Sequence, residues 1–140
     1  MKSKTPNKGK HFTILLGVVF DTKTRKILIG KRKKDIYIPK LTWAFPGGKL
    51  DDKGDLERIL VKKIKQKTGY NVKSLGAVFA KTYPEKKDFL SVYYLCEIVG
   101  GKEKAGDDFT ELKWVKPQDL QKNFTTTFHP HLKEYIMNLK

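Results

Sequence analysis

A single cysteine, Cys96, excludes an intramolecular disulfide and any metal site built from cysteines. It sits in the apolar run "FLSVYYLCEIV", where a buried thiol is the expectation. Long hydrophobic runs are missing too. "FTILLGVVF" (12 to 20) is too short to span a bilayer, and no small-residue cleavage site follows it. The expectation is a soluble, cytoplasmic protein with no membrane partner. Acidic residues are scarce, with 15 Asp and Glu against 30 Lys and Arg. The imbalance is lopsided: residues 1 to 70 carry 19 basic and 6 acidic side chains, residues 71 to 140 carry 11 and 9. A field concentrated in the first half favours polyanions, whether nucleotides, nucleic acid or an anionic surface, and serves solubility equally well.

What is present is globular. Apolar residues make up 39% of the chain and the aromatics are spread along it, as a packed core requires. With 140 residues the chain suits one domain. We expect a flexible basic tail over residues 1 to 10 and a single domain over 11 to 140.

The patterning predicts a hairpin from 12 to 20 and from "ILIGKRK" (27 to 33), joined by the polar "DTKTRK". "IYIPKLTWAFPGG" (36 to 48) is extended, because Pro39 and Pro46 forbid helix, and it ends in a Gly-Gly loop. A helix runs from Asp55 to Thr68: Asp55 caps it, Glu57 lies in its first turn, lysines fill its last turn and Gly69 stops it. Two strands follow (72 to 83 and 88 to 99), then the Gly-rich acidic loop "GGKEKAGDD" and a short strand "ELKWV". A short helix opening at Pro117 and a final helix "PHLKEYIMNL" complete the chain. The fold class is α/β, a mixed sheet between helices.

At about 100° per residue, Leu56, Ile59, Leu60 and Ile64 share one arc of the first helix, and Lys63 and Lys67 project within that arc. Lys62 and Gln66 flank it, while Lys65 points to solvent. Two lysines on an apolar side need a reason. Either they snorkel, laying their stems on apolar surface near the favourable C-terminal dipole, or their ammonium groups hold a phosphate.

The span from Gly48 to Tyr70, "GKLDDKGDLERILVKKIKQKTGY", resembles the signature of the Nudix hydrolases, the MutT-like superfamily. In that signature a glycine and five residues precede a glutamate. Seven residues then lead to Arg-Glu, an apolar residue, any residue, Glu-Glu, any residue, Gly and an apolar residue. The spacing is intact over its 23 positions. "WAFPGG" resembles the usual entry to the motif, and "GGKEKAGDDFTELKWV" resembles the acidic loop and Trp-containing strand of the ADP-ribose pyrophosphatase branch.

The resemblance implies a Nudix fold and a nucleotide or nucleoside diphosphate derivative as partner. It also implies magnesium held by the motif glutamates, but Gly54, Lys63, Gln66 and Lys67 stand in their places. Hard magnesium needs oxygen ligands, and an ammonium supplies none. The expectation is therefore a degenerate site with no metal and weak or absent turnover. Its phosphate contacts would be Lys49, Lys63, Lys67 and Arg32, with Gly47 and Gly48 letting backbone amides approach an anion. Trp43, Phe45 and Tyr83 are candidates for stacking on a base, or else core.

Two alternatives stand beside it. In an active hydrolase, displaced acids (Asp51, Asp52, Asp107, Asp108 and Glu111) would hold magnesium; their other reading is turn and cap chemistry. In an RNA-binding module the basic first half would dominate. His129 and His131 flank Pro130, and a capping role there outweighs that of a general base. Family members are often dimers, but no residue here fixes an interface.

Overall fold

The computed structural model describes residues 12–33, 42–51, 53–84, 86–124 and 128–139. The expected N-terminal tail, the first part of the extended stretch and Asp52 lie outside them. Strand β1 (Phe12–Asp21) turns back into β2 (Lys26–Arg32), as expected for the hairpin. Next come β3 (Trp43–Ala44), β4 (Gly47–Lys49) and helix α1 (Leu56–Thr68). Two long strands, β5 (Tyr70–Tyr83) and β6 (Lys86–Gly101), precede β7 (Phe109–Val115), a 3-10 turn (Pro117–Asp119), α2 (Leu120–Asn123) and α3 (Pro130–Met137). The last helix ends two residues short of the expected Leu139. There Asn138 turns its Nδ2 onto the carbonyl of Glu134 at 2.8 Å.

The sheet runs β3-β2-β1-β6-β5, with β4 also on β1 and β7 also on β2. β1 and β6 are parallel, and the other pairs are antiparallel. This is the mixed sheet expected from the sequence. Alternation along the strands divides the core into two layers. Leu15, Val19 and Leu28 pack with Leu60 and Ile64 of α1 on one face. Val18, Phe20, Ile27 and Ile29 pack with Leu120, Leu132 and Ile136 of α2 and α3 on the other. Gly17 faces α1 so closely that an added Cβ would meet Ile64 Cδ1 at 2.6 Å. Cys96 is buried in the α1 layer, and that burial pushes its thiol up to about 12.

One expectation fails locally. Gly47 and Gly48 form a strand and not a loop: Gly47 pairs with Leu16 and Gly48 with Leu15. The reason is close backbone approach. At Gly47 (φ +150°) a Cβ would lie 2.0 Å from the Leu15 carbonyl oxygen, so only glycine lets β4 lie on β1.

Candidate functional site

Helix α1 starts and stops as its sequence predicts. Asp55 Oδ2 accepts from the Arg58 N–H at 3.0 Å, and left-handed Gly69 (φ 80°) donates to the Lys65 carbonyl at 2.9 Å. Leu60, Ile64 and Thr68, four residues apart, are buried. Leu56, expected on the same arc, is the first residue of the helix and is exposed. Glu57 in the first turn accepts from Ser74 Oγ of β5 at 2.5 Å, a contact with no local sign in the sequence.

The C-terminal turn of α1 is finished by the loop between β6 and β7. Lys104 donates its backbone N–H to the Thr68 carbonyl (2.8 Å) and Gly106 to that of Lys67 (3.0 Å). These bonds satisfy carbonyls that a helix end otherwise leaves open. Glu103 of the same loop is pinned by two donors, Tyr70 Oη and Trp114 Nε1, both at 2.9 Å from its Oε1. The loop then passes through Asp107, whose φ is 53°, and delivers Asp108 beside the helix.

Lys63 and Lys67 run along the sheet-facing side of α1, with side chains 18% and 13% exposed. Gly48 makes room for them: a Cβ there would lie 3.0 Å from Lys63 Cδ and 3.5 Å from Lys67 Nζ. Both ammonium groups are engaged. Lys63 Nζ donates to Asp51 Oδ2 at 3.2 Å. Lys67 Nζ lies 3.1 Å from Asp108 Oδ1, and Arg32 Nε lies 3.3 Å from Asp108 Oδ2. Asp108 thus sits between two cations on different elements, whereas Asp51 is 62% exposed and meets Lys63 from outside. The Lys63 ammonium, by hydrogen bond and by charge, holds the Asp51 carboxyl below its ordinary value.

The structure brings Arg32, Gly48, Lys63, Lys67, Asp51 and Asp108 together. Lys49 lies at the margin, its Nζ 4.1 Å from the centre of the Phe12 ring. Glu111 and Asp107 are exposed, and Glu111 faces Lys31 across the β2–β7 pair. Asp52 lies outside the described residues. Asp51 and Asp108 therefore meet basic groups. Among the described residues no three His, Cys, Asp or Glu side chains could share a metal ion. The magnesium implied by the signature does not fit the residues present, because a hard divalent ion needs several oxygen ligands and here would meet ammonium and guanidinium groups.

The three aromatic candidates lie on the opposite, α3 layer. Phe45 is 3% exposed, with Tyr93 edge-on at 5.6 Å and Phe124 at 5.2 Å, so it is core with no face left for a base. Trp43 has Lys113 Nζ 4.6 Å from its ring centre. Tyr83 meets the Tyr93 hydroxyl at 3.0 Å. His129 caps α3, its Nδ1 accepting the His131 N–H at 3.1 Å.

The profile of the NUDIX domain family matches residues 10–138. An ADP-ribose pyrophosphatase of Methanocaldococcus jannaschii is 33% identical over 103 residues, covering 71% of this chain and 60% of that protein. A putative 8-oxo-dGTP diphosphatase of Bacillus subtilis is 31% identical over 104 residues, covering 74% of this chain and 66% of that one. The chain thus spans less than two thirds of the length of either relative. Among solved structures, a NUDIX hydrolase from Nitrosomonas europaea superposes with a TM-score of 0.73 at 16% identity, covering 91% of this chain and 70% of that one. A profile match over nearly the whole chain, together with the spacing kept from Gly48 to Tyr70, shows that the protein belongs to the Nudix family.

Proposed function

We propose that this Nudix protein binds a nucleoside diphosphate derivative through cationic side chains in place of metal, and turns it over weakly or not at all. One observation carries the reading: Lys63 and Lys67, at two signature positions of the family's acids, lie side by side over Gly48, and each already gathers a carboxylate. A site that collects carboxylates in this way also suits phosphate oxygens, because both are anionic acceptors for N–H donors. Arg32 forms the back of the site, its guanidinium fixed against Asp108, and Lys49 adds positive potential at the rim. The diphosphate would lie across the ammonium groups. Cations placed this way offset its charge but supply no metal-bound water to attack it.

The names of the two relatives favour a second reading, a hydrolase of ADP-ribose-like or nucleoside diphosphate substrates that uses acids outside the signature. One experiment separates the two. ADP-ribose is titrated calorimetrically with and without magnesium, and released AMP is assayed in the same samples. Binding that persists in a chelator without AMP release supports the binder. Magnesium-dependent AMP release supports the hydrolase.

A further inference from the structure

The two lysine pairs differ in kind. Asp108 is clamped from two sides, by Lys67 and by Arg32, and its backbone is bound on both flanks: its carbonyl accepts from the Lys33 N–H at 2.9 Å, and the next N–H, of Phe109, donates to Gly106 at 2.9 Å. Moving it would break an ion triad and a strand junction. Asp51 has neither support. It lies in the segment between β4 and α1, is mostly exposed, and reaches Lys63 through one oxygen. The Lys63 side chain is 18% exposed and that of Asp51 62%, so the carboxylate meets Lys63 from the solvent side.

We infer that Asp51 is an intramolecular competitor for the anion site: it occupies Lys63 in the empty protein and swings out when a phosphate group arrives, while Asp108 stays in place as part of the wall. This inference rests on the phosphate-binding reading above. A carboxylate carries one charge and a diphosphate at least two, spread over oxygens that can reach both ammonium groups, so a diphosphate displaces Asp51 where another carboxylate does not. The site is thereby tuned to diphosphates over carboxylate metabolites. Its apparent affinity is reduced by the fraction of molecules in which Asp51 covers Lys63. No bond is made or broken in the exchange.

The test is calorimetric titration of the full chain with inorganic pyrophosphate in chelator-containing buffer, for wild type, Asp51→Asn, Asp51→Ala and Lys63→Met. Glu97→Gln serves as a control; Glu97 is exposed on β6 and joins none of these ion pairs, and the change alters the net charge by the same amount. Both Asp51 variants should bind about fivefold more tightly, the scale of one exposed ion pair, with Glu97→Gln close to wild type and Lys63→Met weakened. Measurable binding in the Asp51 variants with none in wild type supports the inference equally. Wild-type binding that the Asp51 variants leave unchanged or weaken overturns the competitor and leaves the binder standing. An equal gain in Glu97→Gln also overturns it, by assigning the effect to net charge. Absence of binding in every variant overturns both readings.

Discussion

The ammonium of Lys67 lies 3.1 Å from Oδ1 of Asp108, joining the last turn of α1 to the strand junction that opens β7. The guanidinium of Arg32 meets the other oxygen of the same carboxylate. One carboxylate therefore bridges two cations that are largely withdrawn from water. Removing it takes a counter-charge from both in a region where desolvated charge is costly.

Asp108→Asn should destabilise the protein by about 1–2 kcal/mol, less than a fully buried pair would cost because Asp108 is partly exposed. Urea unfolding at neutral pH measures it. Lys67→Met removes a cation but leaves Arg32 to pair with Asp108, so it should cost less than Asp108→Asn.

Restoring acids at Gly54, Lys63, Gln66 and Lys67 together should create an affinity for magnesium well above that of the parent chain. The expected readout is a melting temperature that rises with magnesium in the quadruple glutamate variant and stays flat in the parent. Without magnesium the variant should melt lower, since new carboxylates would face Asp51 and Asp108. A parent protein stabilised by magnesium as strongly as the variant would count against the cationic site.

Two titrations bear on the acid side of the stability profile. His129 caps α3 as a neutral acceptor, and its pKa is lowered by burial first and then by His131 and Lys81. The unfolded chain therefore takes up the proton first, and stability falls as pH drops from about 6.5 to the lower folded value. Asp51 is also lowered, chiefly by Lys63, so its contribution is complete above its unfolded value of 3.8 and is lost below it. His129→Asn keeps a capping side chain without the titration, and should flatten the upper of these two steps in denaturation midpoints measured across pH.

Gly47→Ala and Gly48→Ala should separate backbone strain from side-chain crowding. Alanine at Gly47 meets the Leu15 carbonyl at 2.0 Å in a backbone conformation that resists a side chain, so it should cost about 3 kcal/mol or more. At Gly48 the nearest atom is Cδ of flexible Lys63, 3.0 Å away. That variant should fold, lose little stability and weaken anion binding by pushing the Lys63 stem aside. Thermal melts and pyrophosphate titration of the two proteins check the contrast.

Much of this fold is legible in the residues because its signals are local. Asp55, Gly69 and the i, i+4 spacing of Leu60 and Ile64 define α1 without tertiary information. The orientation of Lys63 and Lys67 followed from the same periodicity. Their partners did not, because Asp108 reaches Lys67 only after the β6–β7 loop docks on the helix end, and chain distance hides such a contact. Gly47 and Gly48 show the converse limit. A glycine pair signals special backbone but does not say whether it makes a turn or a close strand approach, and here β1 decided the matter. Phe45 reads equally well as stacking or core until the packing of Tyr93 and Phe124 around it is known.

The loop that finishes α1 has a consequence for how the molecule opens. The N–H groups of Lys104 and Gly106 are spent on helix carbonyls, so peeling this irregular segment away strips both the loop and the helix end of their partners. Loop and helix end form one cooperative unit, and their amides should exchange with solvent deuterium together, at a rate closer to that of a helix than of a surface connection.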